Sequence, residues 1–365
     1  MNWKDTLKNN VTTIEQLREY LHLSAEDEKK LQEILCRFPM RVTRYYLSLV
    51  DWDHYEEDPI FRMCVPSVRE TDLSGTFDTS GESFNTKLPG LQHKYHETAL
   101  ILTTSECAMY CRHCFRKRLV GLEDHEETAT DPLQAAEYVR AHREISNVLL
   151  SGGDSFLMDN EKIGLYLRLF AEIPHLDFIR FGTRTPVTFP MRITEDPELI
   201  KLLKKYGSIK QIYVVTHFNH PREITPESIR AVTALRDAGV ILRNQTVLLR
   251  GVNDDPAVLG TLLRRLTSIG VIPYYIFQCR PVTGVKSQFQ VPFSEGYAIV
   301  EQAKSVQNGQ GKCLRYALSH PTGKIEILGP GADGQMLFKY HQSKNDEDAG
   351  RIFSSPLAAG QAWLD

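Results

Sequence analysis

Six short apolar runs separated by capped helical patterns leave this chain few folds to choose from. The runs are ALILTT (99–104), NVLLSGG (147–153), FIRFGTR (178–184), IYVVTH (212–217), ILRNQTVLL (241–249) and IPYYIFQC (272–279). Between them stand DPLQAAEYVRAH, KIGLYLRLFAEI, DPELIKLLKKY, TPESIRAVTALRDA and DPAVLGTLLRRLTSI, several with Asp or Thr before a proline at the first helical position. Proline loses nothing there, because that N–H has no helical partner, and the side chain before it caps the free donors. Nearly continuous apolar strands alternating with helices must be covered on both faces. This predicts an α/β fold with a parallel sheet, doubly wound or curled into a full or partial barrel. In either form chemistry gathers at the strand C-termini. Cys107, Asp154, Arg184, His217, Gln245 and Arg280 all fall at or just beyond the ends of these runs, so they can converge on one site.

The flanks read differently. Residues 1 to about 60 carry helical periodicity, with Thr13 and Ser24 as caps ahead of early acids. From Pro66 to Leu91 the chain is rich in Ser, Thr, Gly and acids, which predicts an arm wrapping a neighbouring surface. The expected division is a helical region and arm over 1–92, a barrel over 93–310 and a C-terminal segment over 311–365. GPGADG (329–334) spells a dinucleotide-binding glycine pattern but leads into the strand-like QMLFKY, so a hairpin turn is the better reading.

Charge excludes some functions. With 43 basic and 46 acidic residues and no long basic run, the chain has no electrostatic footprint for nucleic acid or an anionic membrane. It lacks an apolar signal region behind Met1 and a membrane-length apolar stretch, so a cytoplasmic protein is expected. Seven cysteines are an odd number, and three of them, Cys107, Cys111 and Cys114, crowd onto the loop after the first run. That fits thiolate or cluster chemistry better than disulfides. A structural zinc site wants four ligands, and no second Cys or His pair stands at suitable spacing. Three thiolates instead hold a cubane cluster with one iron open to another ligand, and Cys-x3-Cys-x2-Cys is the spacing of radical S-adenosylmethionine enzymes.

CAMYCRHCFRKR, LLSGGD, GTRTPVTFP, THFNHPREIT, NQTVLLRGVND and PYYIFQC, in this order and separation, resemble the lysine 2,3-aminomutase family. The resemblance runs from RYYLSLVDWDHYEEDPI to about residue 330. It implies a partial (β/α)6 TIM-like barrel and a [4Fe-4S] cluster held by Cys107, Cys111 and Cys114. It also implies S-adenosylmethionine and pyridoxal phosphate as further cofactors, used to move an amino group between adjacent carbons of a small-molecule amino acid substrate. Ser151, Gly152, Gly153 and Asp154 match the segment beside the methionine part of the cosubstrate, and His113, His217 and Gln245 are counted with that pocket. Arg116 matches the arginine that holds the substrate carboxylate, a planar bidentate donor suited to the task; otherwise it belongs to a solvated basic run with Arg112, Lys117 and Arg118. Tyr95 matches a tyrosine near the coenzyme, and Lys324 stands where the family has the lysine that carries pyridoxal phosphate. A flavodoxin or ferredoxin as electron donor and a homo-oligomeric assembly are the partners this implies.

Departures from the family pattern matter as much. Thr98 replaces an arginine expected near the coenzyme phosphate, and Ile-Glu-Ile follows Lys324 in place of Thr-Pro. Lys324 could then be a surface lysine opening a strand. Arg280 stands where lysine-specific enzymes have an aspartate that receives the distal ammonium, and no acid occurs at 317–320. The reversed charge predicts a non-lysine substrate with a polar or anionic side chain, such as glutamate, unless Arg280 turns away into an ion pair. The alternatives are a pyridoxal-independent radical enzyme acting elsewhere, for instance on a protein lysine, and a metal-binding interaction protein without catalysis. The relatives' intersubunit zinc is not expected, since Asp255 follows Asp254 and no cysteine follows Cys313.

Overall fold

The computed structural model describes residues 3–120 and 131–364. Twelve strands lie side by side in chain order: β1 (Thr86–Leu88), β2 (Leu91–Tyr95), β3 (Thr98–Thr104), β4 (Asn147–Gly152), β5 (Phe178–Gly182), β6 (Gln211–Thr216), β7 (Ile241–Leu248), β8 (Ile272–Gln278), β9 (Arg315–His320), β10 (Gly323–Pro330), β11 (Met336–Ser343) and β12 (Ile352–Ser355). β3 to β9 pair in parallel, and the strands on either side pair antiparallel. β1 and β12 are the sheet's free ends, while Leu100, Arg180, Gln245, Phe277 and Lys324 from five strands line one cavity. The sheet is therefore a curled, open barrel.

The six apolar runs are β3 to β8. Their crossover helices begin where expected: Asp131, Asp196 and Asp255 each accept two backbone N–H groups ahead of a proline, and Thr225 closes a capping box. Ile179, Phe181, Ile212 and Val214 are fully buried under them. Two expectations change. Gln245 lies inside β7 and not at its end. Parallel pairing also continues past residue 310, because the helix Phe293–Ser305 delivers β9 onto β8 with Tyr275 opposite Arg315. RYALSH has no apolar run to announce it, and only the crossover makes it parallel. β10 then returns antiparallel on β9, and GPGADG forms the β10–β11 hairpin, with Gly331 N–H donating to Gln335 O at 2.8 Å.

The N-terminal helices pack against the loop that follows β3. Asn10 donates to Ala108 O at 3.0 Å, Tyr110 N–H to Arg41 O at 2.8 Å, and Thr43 to Thr188 O at 2.7 Å. In the arm, Thr76 forms an isolated parallel bridge with Val282. No helix of the described residues is long and apolar enough to cross a membrane.

Candidate active site

A cavity of about 480 Å³ runs inside the curled sheet, lined from the first residues of parallel strands, such as Thr98, Asn147 and Phe178, to the loops beyond their C-terminal ends; its volume is within the range of small-molecule sites. Cys107, Cys111 and Cys114 line it together with Ser151 to Asp154, His113, His217, Gln245, Arg116, Arg280, Tyr95 and Lys324. Every sequence-predicted site residue is thus brought to one chamber. Among the described residues, His93, His142 and Glu144 are the one group of three whose ligand atoms all lie within 4.8 Å, so the three sulfurs are spread wider. One tetrahedral zinc would draw thiolates to roughly 3.8 Å of each other, from Zn–S bonds of about 2.3 Å. The spread leaves room for a multi-iron cluster. Burial pushes the Cys107 and Cys114 thiols up, Cys114 to about 11, so ligation has to displace protons.

The basic run of the cluster loop is not solvated. Arg112 and Lys117 both bond Glu70 of the arm, Arg112 at 2.8 Å through Nε and Lys117 at 2.5 Å. Arg112 also donates to Pro39 O at 2.8 Å. Arg116 bonds Glu82 at 2.9 Å and Ser151 Oγ at 3.1 Å, and Arg118 bonds Glu82 at 3.1 Å. Two arm carboxylates, both buried, therefore hold four cations in place around the cysteines.

Small residues at the end of β4 let this loop approach. Gly152 sits at φ +120°, and a Cβ there would lie 2.4 Å from Thr104 O; at Gly153 it would lie 2.2 Å from Glu106 O. Gly153 N–H donates to Thr104 O at 2.6 Å and Asp154 N–H to Glu106 O at 2.7 Å. The glycines thus admit the cluster loop's own backbone. The Asp154 carboxylate is spent on Thr183 Oγ1, on Arg184 N–H at 2.8 Å and on Phe156 N–H at 3.1 Å, which ties β4 to β5.

His217 and His113 face each other, Nε2 to Nε2, at 3.1 Å, and His217 Nδ1 lies 2.5 Å from Gln245 O. A carbonyl only accepts, so His217 carries its proton on Nδ1 and receives one from His113 Nε2. This leaves His113 Nδ1 as a buried acceptor without a protein partner. Burial and the nearby Arg184 guanidinium keep both rings neutral, His217 near 4. Arg184 itself donates to Cys111 Sγ at 2.7 Å and to buried Glu223 at 2.6 Å, and Glu223 also accepts from Tyr46 at 2.6 Å. The N-terminal helices are thereby linked to a cluster cysteine.

Beside the cysteine loop, Arg280 turns inward. Its guanidinium lies 4.1 Å from the Phe115 ring centroid, and its buried Nη1 has no protein partner. Burial lowers it to about 10. Lys324 is half-buried and lines the chamber: Nζ donates to Gln342 Oε1 at 2.9 Å and sits 4.7 Å from the Tyr275 ring centroid. Burial first, then Arg180, Lys94 and Arg280, push its amine down to about 7. Tyr95, pushed up to about 12 by burial, faces it at 5.7 Å.

Sequence reasoning missed Arg180, Lys94 and Glu82. Arg180 lies on β5, donates to Asn147 Oδ1 at 2.5 Å and leaves a buried Nε without a protein partner. Asn147 also bonds Thr98 Oγ1 at 3.2 Å. The cation missing at Thr98 thus has a counterpart two strands away. An arginine in the otherwise apolar FIRFG was the available signal. Lys94, pushed down to about 7 chiefly by burial, donates to His320 O at 2.6 Å. A poised amine beside orphaned guanidinium N–H groups fits an aldehyde coenzyme bearing a phosphate.

Residues 101–259 match the model of the Radical SAM superfamily. The fold and the three-cysteine loop therefore define a radical S-adenosylmethionine protein, a class that implies a [4Fe-4S] cluster and S-adenosylmethionine. The chain is similar to the L-lysine 2,3-aminomutase of Acetoanaerobium sticklandii, 38% identical over 94% of this chain and 80% of that protein. A protein of Aquifex aeolicus (strain VF5), to which the same activity is ascribed, is 41% identical over 93% of this chain and 90% of its own length. The glutamate 2,3-aminomutase of Clostridioides difficile is 36% identical over 95% and 79%. The chain belongs to the lysine 2,3-aminomutase family.

Proposed function

We propose that this chain is a radical S-adenosylmethionine aminomutase that moves an amino group between the α and β carbons of an amino acid with an anionic side chain, glutamate being the best fit. The observation that carries the reading is Arg280, which lines the chamber with its buried Nη1 unpartnered and its guanidinium over the Phe115 ring. An ammonium about 4 Å from this guanidinium would be disfavoured by about 4 kcal/mol at an effective dielectric of about 20. A carboxylate there would be favoured. Six cations, Lys94, Arg116, Arg180, Arg184, Arg280 and Lys324, line the chamber against two acids, Glu82 and Asp154.

When bound, the cluster with its cosubstrate supplies hydrogen-abstracting radical chemistry, and pyridoxal phosphate supplies an electron sink for the migrating nitrogen. The chain's own residues divide the remaining work. Arg116 binds the substrate's α-carboxylate, its free N–H groups directed by the bond to Glu82. Arg280 takes the side-chain carboxylate. Lys324 offers an amine that is about half neutral at pH 7 and more so above it, and Arg180 and Lys94 offer N–H groups for the phosphate. Tyr275 and Phe277 place their rings 4.7 and 5.9 Å from the amine.

The test uses anaerobically reconstituted enzyme with reductant and S-adenosylmethionine. Borohydride reduction after pyridoxal phosphate addition, followed by peptide mass analysis, is expected to place one phosphopyridoxyl group on Lys324. Product analysis is expected to find a β-amino acid from glutamate and little from lysine. Turnover of lysine in preference to glutamate overturns the substrate assignment. Cosubstrate cleavage with no adduct overturns the amino migration and moves the search to pyridoxal-independent chemistry, including on a protein lysine.

A further inference from the structure

On the opposite side of the barrel wall from the chamber, His93 of β2, His142 at the C-terminal cap of the helix Pro132–Ala141, and Glu144 bring one nitrogen or oxygen each within 4.8 Å of one another. All three are partly buried. His93 Nε2 lies 3.1 Å from His96 O. A carbonyl only accepts, so Nε2 carries the proton and the lone pair is on Nδ1. A histidine whose distal N–H is fixed by a backbone carbonyl has the arrangement that metal-ligating imidazoles ordinarily show. His93 Nδ1 is 3.0 Å from Tyr138 Oη, and the Tyr138 ring stacks on His142 with centroids 4.1 Å apart. His142 Nδ1 is 2.8 Å from Glu144 Oε1, so one proton now occupies the space a cation would share between them.

We propose that His93, His142 and Glu144 form a site for a divalent transition metal, with zinc the best match. Two neutral imidazoles and one carboxylate are an established zinc ligand set, with a fourth position left to water beside the Tyr138 hydroxyl. Binding shifts the His142 proton from Nδ1 to Nε2, which frees the Nδ1 lone pair for the metal and keeps the ring neutral. The site contains no cysteine, so cysteine spacing does not reveal it, and it is separate from the cluster loop. Its ligands come from chain segments 49 residues apart, His93 and His142. A metal would therefore pin β2 to the turn before β4. Lys94 and Tyr95, which face Lys324's end of the chamber, follow His93 directly. The site thus acts on the chamber by holding β2 and touches no reacting atom.

The test titrates zinc alone into cluster-loaded, chelator-washed enzyme, with metal analysis after equilibrium dialysis and zinc K-edge absorption on the product. One zinc per chain beyond the cluster iron is expected, with nitrogen and oxygen neighbours at about 2.0–2.1 Å and no sulfur at about 2.3 Å. His142→Ala and Glu144→Gln are each expected to weaken retention at least tenfold and to abolish the zinc-dependent rise in melting temperature. Failure of the parent enzyme to retain zinc overturns the site, as does a sulfur-containing shell or unchanged retention in both variants. If a variant does not fold, the parent's absorption spectrum still decides.

Discussion

Arg280 lies 4.1 Å over the ring of Phe115, the residue after the last cluster cysteine, and its Nη1 has no protein partner. One aromatic ring therefore orients the cation proposed to select the substrate and follows directly the cysteine that would hold the cluster. Arg280→Gln is expected to lower kcat/KM for glutamate by about 2–5 kcal/mol, the usual loss when one partner of a buried charged pair is removed. Arg280→Asp should also raise the lysine rate relative to glutamate. Competition assays with both amino acids check this, and an unchanged ratio counts against Arg280 as the selecting residue.

Lys324 gives a pH dependence with a defined sign. Its amine is pushed down to about 7, first by burial and then by Arg180, Lys94 and Arg280. Coenzyme capture at Lys324 needs the neutral amine, so its rate should rise as pH increases through about 7 and fall below it. Arg180→Gln removes a repelling charge and should move the midpoint upward. Borohydride-trapped adduct measured against pH reads both.

Glu70 supports the cluster loop through Arg112 and Lys117. Burial alone would raise its carboxyl, yet the two cations hold it below its ordinary value. A carboxylate with a depressed value stabilises the fold above its unfolded pKa, and that stability is lost as pH falls through the folded value. Glu70→Gln leaves two buried cations poorly paired and is expected to cost about 3–5 kcal/mol. Denaturant unfolding of the variant, and acid unfolding of the parent enzyme, measure these effects.

Gly153→Ala tests the seam between β4 and the cluster loop. Its Cβ would meet Glu106 O at 2.2 Å, so the backbone has to shift. Iron per chain after reconstitution should fall well below the parent's, while the melting temperature falls less, because the strain is confined to the loop. Equal iron retention would show that the loop adapts.

The barrel was legible because each crossover repeats one local pattern, an Asp or Thr cap, a proline and an apolar stripe, between strands that must be buried on both faces. The cysteine loop was legible because its three cysteines lie within eight consecutive positions. β9 was not, since RYALSH reads as an ordinary half-buried strand until the helix before it sets its direction. Arg180 was hidden for a similar reason, because a strand residue's side of the sheet says nothing about which cation it will stand beside.

By itself the sequence determined the α/β class, the cysteine loop, the hairpin at GPGADG and the charge at position 280, all of which depend on neighbours along the chain. Only the tertiary structure decided that the basic run 112–118 is paired with Glu70 and Glu82, and that Lys324 sits beside Arg180, Lys94 and Arg280 in one chamber. It alone also decided that Arg280 faces the chamber with an unmatched donor. Burial and charge pairing depend on which distant segments share a low-dielectric space. The wrapping arm and the returning strands β9 to β11 bring those segments together.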